Sequence, residues 1–179
     1  MNQSFEELMR LQDKYFGLIY ETWLINLFTI HWLALLLVFI IPWVIWWKLV
    51  DKSRITEILC YGLLISILAS SLDEAGHAAH LWAYKYRLFP LCVELKPINV
   101  SLLPVIYMLV YQYFTAWKEF IIATTLMAVF LAFVGEPFLV WFDVYVKFNW
   151  EHIYSFPIYI AIAVLIRLLV GLITAKKNC

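Results

Sequence analysis

Charge is scarce and unpatterned. Only 15% of the residues are charged and the formal net charge is +0, with basic residues scattered rather than gathered into a stripe that could follow a phosphate backbone. A nucleic-acid partner is therefore excluded. Cysteine is sparse as well: Cys60, Cys92 and Cys179 fall in a span, a loop and a tail, without the paired spacing of a zinc site or a disulfide framework, so they are read as unpaired. There is no internal repeat and no low-complexity segment. None of the apolar segments alternates in polarity, as the strands of a membrane barrel must. The acidic start, with the first long apolar run well downstream, does not match a signal peptide.

What is abundant is apolar and aromatic surface. Hydrophobic residues make up 65% of the chain and the mean hydropathy is +0.84, far above a soluble domain, so membrane lipids are the expected surroundings. Five apolar stretches, Leu27–Trp47, Ile55–Gly76, Ile98–Trp117, Glu119–Trp141 and Pro157–Ala175, each approach the ~20 residues that cross ~30 Å of hydrocarbon as a helix. Short turns after the first and third predict antiparallel neighbours there. Trp43, Trp46 and Trp47, then Trp82, Tyr84 and Tyr86, then Trp141, Tyr145, Trp150 and Tyr154 mark the stretch ends, where amphipathic rings favour the headgroup layer. Ahead of them, Phe5, Leu8, Leu11, Tyr15 and Leu18 recur at helical spacing opposite Glu6, Arg10 and Asp13, the pattern of a helix lying in the interface. The fold expected is all-α: an amphipathic interfacial helix over residues 1–22 and a polytopic membrane helix bundle of five transmembrane helices over 23–179. Lys48, Lys52, Arg54, Lys118, Lys176 and Lys177 hug their helix ends more closely than the basic residues of the opposite side, which favours a cytoplasmic C-terminus.

Carboxyls in such a chain cost several kcal/mol unless paired or hydrated. Asp73 lies ~27 Å along the second span and Glu136 ~25 Å along the fourth, at 1.5 Å per residue. The two spans run the same way, so both acids belong to one leaflet, with His31, Asn99 and Pro104. Ser66, Ser70, Asp73 and His77 share a helical face. Pro137 removes an N–H that the Phe133 carbonyl would use and predicts a kink beside Glu136. Small residues below each acid, Gly62, Ser66 and Ser70 in one span and Ala128 and Ala132 in the other, predict direct packing of spans two and four.

The candidate pocket set is Asp73, Glu136, Ser70, His77, Trp82, Tyr84, His31 and Tyr107. Glu74 faces away and is read as solvated. Asp73, His77 and His80 have the spacing of metal ligands only if the helix continues past Gly76, and a C-cap there would scatter them; no metal and no cofactor are expected. Arg167, ~15 Å into the fifth span, calls for an ion pair with Glu57 or Glu119, or for snorkelling. Tyr107, Tyr111 and, near the midplane, Gln112 are expected to bond helix to helix.

Taken in order, Asp73 and Gly76, Trp82 and Tyr84, Pro90, Leu103-Pro104, Tyr111-Gln112-Tyr113, Glu136-Pro137 and Tyr154-Ser155-Phe156-Pro157 resemble an uncharacterised family of small five-helix integral membrane proteins of spore-forming Gram-positive bacteria. The likeness runs from about Trp43 onward and implies a cytoplasmic-membrane protein without implying a substrate. A fainter likeness is to the membrane domain of lycopene cyclases, but Val105-Ile106 follow Leu103-Pro104 where that motif has acids. The leading expectation is a one-leaflet polar pocket that binds a lipid, small amphiphile or partner helix. The alternative is a membrane-embedded acid–base enzyme acting on an isoprenoid or lipid. A small transporter ranks third, because the midplane is dry and inverted repeats are missing.

Overall fold

The computed structural model describes residues 3–90, 92 and 94–175; Lys176, Lys177 and Cys179 lie outside the described residues. Among the described residues the chain is mainly helical, with one two-stranded antiparallel sheet whose strands are far apart in sequence: α1 Gln3–Asn26, α2 Ile30–Leu49, α3 Ile55–Ala78, β1 Trp82–Tyr84, α4 Ile98–Tyr113, α5 Trp117–Trp141, β2 Tyr145–Lys147 and α6 His152–Ala175. Four helices, α2, α3, α5 and α6, are long and apolar enough to cross a membrane, and α4 is a shorter apolar helix. Helix α1 runs unbroken to Asn26 and is largely exposed. Phe28, with φ 62°, turns the chain out of α1, and the Thr29 hydroxyl caps α2 by accepting from the Trp32 N–H at 3.4 Å.

Helix α4 ends at Tyr113 rather than at Trp117, because Phe114 leaves the helix with φ −110° and ψ 81°. Arg167 explains how that end is tolerated. Its guanidinium donates to the carbonyls of Phe114, at 3.2 Å, and Thr115 and lies over the rings of Phe120 and Trp117 at 4.1 and 4.4 Å. The expected ion pair is not made. Glu57 instead pairs with Arg54 at 2.9 Å and accepts from the Tyr111 hydroxyl at 2.5 Å, while Arg167 satisfies carbonyls that a helix end would otherwise leave open. Replacing Arg167 by Met should cost about 1–3 kcal/mol, since two carbonyls lose their donor. Arg167→Lys should fall between Met and wild type in unfolding midpoint in mixed micelles; equal midpoints for all three would discard the capping role. Gln112 also moves from its expected midplane position: at the end of α4 it donates to the Leu49 carbonyl at 3.0 Å and accepts from the Asp51 N–H at 2.9 Å, tying down the α2–α3 turn.

Two helices carry a π-helical turn, and each turn directly precedes an X-Pro pair. In α4 it covers Ile98–Leu102, with the Leu103 N–H reaching back five residues to the Ile98 carbonyl; in α5 it covers Leu131–Gly135, with the Glu136 N–H reaching Leu131. Proline supplies no N–H to the carbonyl four residues earlier. For Pro104 that carbonyl belongs to Val100, and the indole N–H of Trp43 fills the gap at 3.2 Å. Ser101 donates to the Phe39 carbonyl at 2.8 Å nearby, so the π turn of α4 is where α2 is fastened.

Lipid is as apolar as leucine, so helices in a membrane associate through close packing rather than hydrophobic burial. Gly62 lets Met108 of α4 lie directly on α3, and Ala128, Ala132 and Ala163 are fully buried between helices. The neighbours differ from those expected. Helix α2 packs against α4 rather than chiefly against α3, and α6 packs along both α3 and α5. Spans two and four are therefore bridged by the last helix, because the Gly62 face of α3 is already filled by Met108.

Helices α3 and α5 end in the same way. His80, with φ 54°, and Asp143, with φ 58°, reverse the chain in the left-handed region, and the next N–H bonds back across the last turn: Leu81 to Gly76 and Val144 to Leu139, each at 3.0 Å. Each cap delivers one strand. The strands pair antiparallel, Trp82 opposite Lys147, Ala83 opposite Val146 and Tyr84 opposite Tyr145, and form a lid across one end of the bundle.

Candidate functional site

Beneath this lid is a cavity of about 420 Å³, inside the ~300–1,000 Å³ range usual for small-molecule sites. Its walls come from α3, α4, α5 and α6, with the two strands above. Asp73, Glu136, Trp82, Tyr84 and Tyr107 all line it. Both acids are thus brought to one cavity, each less than a tenth exposed.

Asp73 is saturated. One carboxyl oxygen accepts from the Trp82 indole N–H at 2.7 Å and the Tyr84 hydroxyl at 2.6 Å; the other accepts from the Leu95 N–H at 3.1 Å and the Asn99 amide at 2.6 Å. Four donors on two oxygens occupy about four lone-pair sites, the pattern suited to an acceptor-only carboxylate. Asp73 therefore joins α3, the lid and the π turn of α4 at one point. Burial, reinforced by the Asp73 charge, holds the Tyr84 phenol well above its ordinary range, so it remains a donor.

Glu136 is more open. One oxygen accepts from the Tyr159 hydroxyl at 2.8 Å and the other lies 2.7 Å from His152 Nδ1. Each oxygen keeps a lone pair for something else. The π turn that ends at Gly135 sets the direction in which the Glu136 side chain leaves α5. Tyr145 lines the cavity with both acids, and its phenol is pushed up by burial and then by the charges of Glu136 and Asp73.

The remaining predicted residues lie elsewhere. The cavity face of α3 is Ile65, Ala69, Leu72, Asp73 and Gly76; Ser70 and His77 are one position further along and so about 100° round the helix. His77 Nδ1 is buried without a hydrogen-bond partner among the described residues. His31 stacks on Tyr86 with ring centroids 3.9 Å apart, outside the cavity. Tyr107 lines the cavity and donates to the Tyr159 carbonyl at 2.8 Å, fixing α4 to α6. Among the described residues no three His, Cys, Asp or Glu side chains are grouped to hold a metal. Cys60 and Cys92 are both free.

No protein-family model matches the chain, and neither curated proteins nor solved structures provide a match. The chemistry of the site is therefore argued from its own geometry.

Sequence reasoning passed over His152, Tyr159, Trp150 and Ser155 as site residues. The last three line the cavity with Glu136, and Trp150 donates to the Ser155 hydroxyl at 2.9 Å. A usable signal existed. Ser155, Tyr159 and Ile162 recur at helical spacing through Pro157, so the apolar run could have been extended back toward His152.

Proposed function

We propose that this chain is a five-crossing membrane protein that holds a lipophilic ligand by one polar end in the cavity under the lid. In this reading α4, rising about 24 Å at 1.5 Å per residue, makes the fifth crossing, with the lid filling the depth it leaves. Helix α1 lies along the interface and the C-terminus is cytoplasmic. The resemblance to small five-helix proteins of spore-forming Gram-positive bacteria belongs to the same reading.

The observation that carries it is a largely apolar cavity with convergent polar groups at one end, the usual build of a ligand site. Glu136 and Tyr159 meet the polar end; Trp82 and Tyr84 close the mouth while bonded to Asp73. The contact of Glu136 with His152 favours acid–base chemistry on a membrane isoprenoid as a second reading. Such chemistry would run through Glu136, because Asp73 has no acceptor site to spare.

Mass spectrometry of material copurified in a mild uncharged detergent tests the proposal. Wild type should retain an amphiphile near one per chain, and Ala69→Trp, which places an indole in the cavity wall, should lose it while staying folded. An empty wild-type protein, or equal retention by both, would remove the cavity as a binding site.

A further inference from the structure

The polar end of the ligand has a recognisable chemistry. Every partner of Asp73 is an uncharged dipole: an indole, a phenol, an amide and a peptide N–H. Neither Asp73 nor Glu136 has a Lys or Arg within ion-pair distance among the described residues; four of those cations pair with other carboxyls, and the one basic group against either acid is the His152 imidazole, 2.7 Å from Glu136. Among the described residues no Lys, Arg or His lines the cavity itself. Two carboxyls thus border a largely apolar space whose lining contains no Lys or Arg among the described residues.

The rings around them add to this. Trp82, Tyr84, Tyr145, Trp150 and Tyr159 line the same cavity; Trp82 meets Trp150 edge to face at 5.0 Å and Tyr145 at 6.4 Å. The indole N–H of Trp82 and the hydroxyls of Tyr84 and Tyr159 are committed to the carboxyls, and Tyr84 stacks on Tyr145 at 5.7 Å, so these rings meet a ligand mainly through their carbon surfaces. Ring faces carry negative potential and hold alkylated ammonium groups without demanding hydrogen bonds. A phosphate or fatty-acid carboxylate would instead meet two carboxyls and no Lys or Arg, with only the Tyr145 and Ser155 hydroxyls of the lining left to donate.

We infer that the cavity under the Trp82–Tyr84 lid, walled by Trp150, Tyr145 and Tyr159 and ending on Asp73 and Glu136, binds an organic cation, a lipophilic alkyl- or arylammonium. This rests on the cavity being a binding site, and three probes separate the two claims. They are benzyltrimethylammonium, its uncharged carbon isostere neopentylbenzene and benzylphosphonate, titrated into the full-length protein in maltoside micelles. Tryptophan fluorescence is followed against protein-free micelles containing free tryptophan.

Benzyltrimethylammonium should bind at least tenfold more tightly than neopentylbenzene, and benzylphosphonate more weakly than either. In Glu136→Gln the preference for the cation should fall at least tenfold. In Trp150→Leu, which keeps both carboxyls, cation affinity should drop while the neutral probe changes less. Equal binding of cation and isostere, or tighter binding of the phosphonate, would overturn the cationic ligand and leave the cavity as a binding site. Failure of all three probes in wild type would remove both.

Discussion

Asp73→Ala should cost about 3–5 kcal/mol of stability, the largest loss expected from a single polar substitution in this chain. Three of the four donors cannot turn elsewhere: the Trp82 indole is fixed by the lid, the Leu95 N–H by the backbone, and the Asn99 amide by its place in the π turn of α4. Removing the acceptor strands them in a low-dielectric site, where an unmet donor costs about 1–3 kcal/mol. Asp73→Asn should lose about 2–3 kcal/mol, because the new amide supplies one acceptor oxygen but sets N–H against N–H at the other. Glu136→Gln should be milder, at about 1 kcal/mol, since each Glu136 oxygen has one partner and the Tyr159 hydroxyl can rotate to accept. Unfolding midpoints of the three variants in mixed micelles would check the order. If Glu136→Gln proves as damaging as Asp73→Asn, the division between a structural acid and an available one is wrong.

The second large effect is steric. A Cβ on Gly76 would lie 2.0 and 2.1 Å from two carbons of the Trp82 ring, so Gly76→Ala must displace a rigid indole that is itself bonded to Asp73. The expected cost is about 3 kcal/mol, at the upper end of overpacking, together with loosening of the lid. Gly62→Ala is the control. There the obstacle is Met108, whose Sδ, Cγ and Cε lie 2.4, 2.6 and 3.0 Å from the added Cβ; an unbranched thioether re-packs more readily than an indole, so the expected cost is about 1 kcal/mol. The ratio of the two losses is the informative quantity. Near-ultraviolet circular dichroism should also change for Gly76→Ala and hardly for Gly62→Ala, because Trp82 packs against Trp150 and Tyr145 only in the first environment.

Much of this architecture was legible without coordinates, because long apolar runs have few alternatives to helices and the aromatic residues mark their ends. The membrane-length helices begin and end within a few residues of the apolar stretches, with α6 the exception at its start. Asp73 and Glu136 could be assigned a common depth by counting along helices of the same direction. Helix neighbours were less legible. Whether α2 pairs with α3 or α4 depends on where Trp43 and Ser101 find acceptors, and a short connecting turn does not determine that. The stop at Tyr113 was hidden for a similar reason: Phe114–Ala116 contains nothing that breaks a helix by itself, and the group satisfying the exposed carbonyls is Arg167, more than fifty residues away.

Within the site, depth proved easier to read than azimuth. The serines and His77 were grouped with Asp73 by a regular spacing, yet the cavity follows Ala69, Leu72 and Gly76. His152 and Ser155 were lost ahead of Pro157, and Tyr159, inside the expected span, was not grouped with Glu136. A proline is taken as the mark of a helix boundary, but here it lies inside the second turn of α6, where the helix continues although the Ile153 carbonyl loses its partner four residues on.

The π turns give the two halves of α4 and α5 separate bearings. A wheel drawn straight through either sequence accumulates an error of one residue, about 100°, at the point where Asn99 or Glu136 enters the site. The apolar length of each helix and the end that reaches the cavity are therefore indexed independently. Shortening the stretch Leu131–Gly135 by a single residue would keep every residue that lines the cavity while swinging the Glu136 carboxyl out of it, so the lining would survive as a list and be lost as a shape.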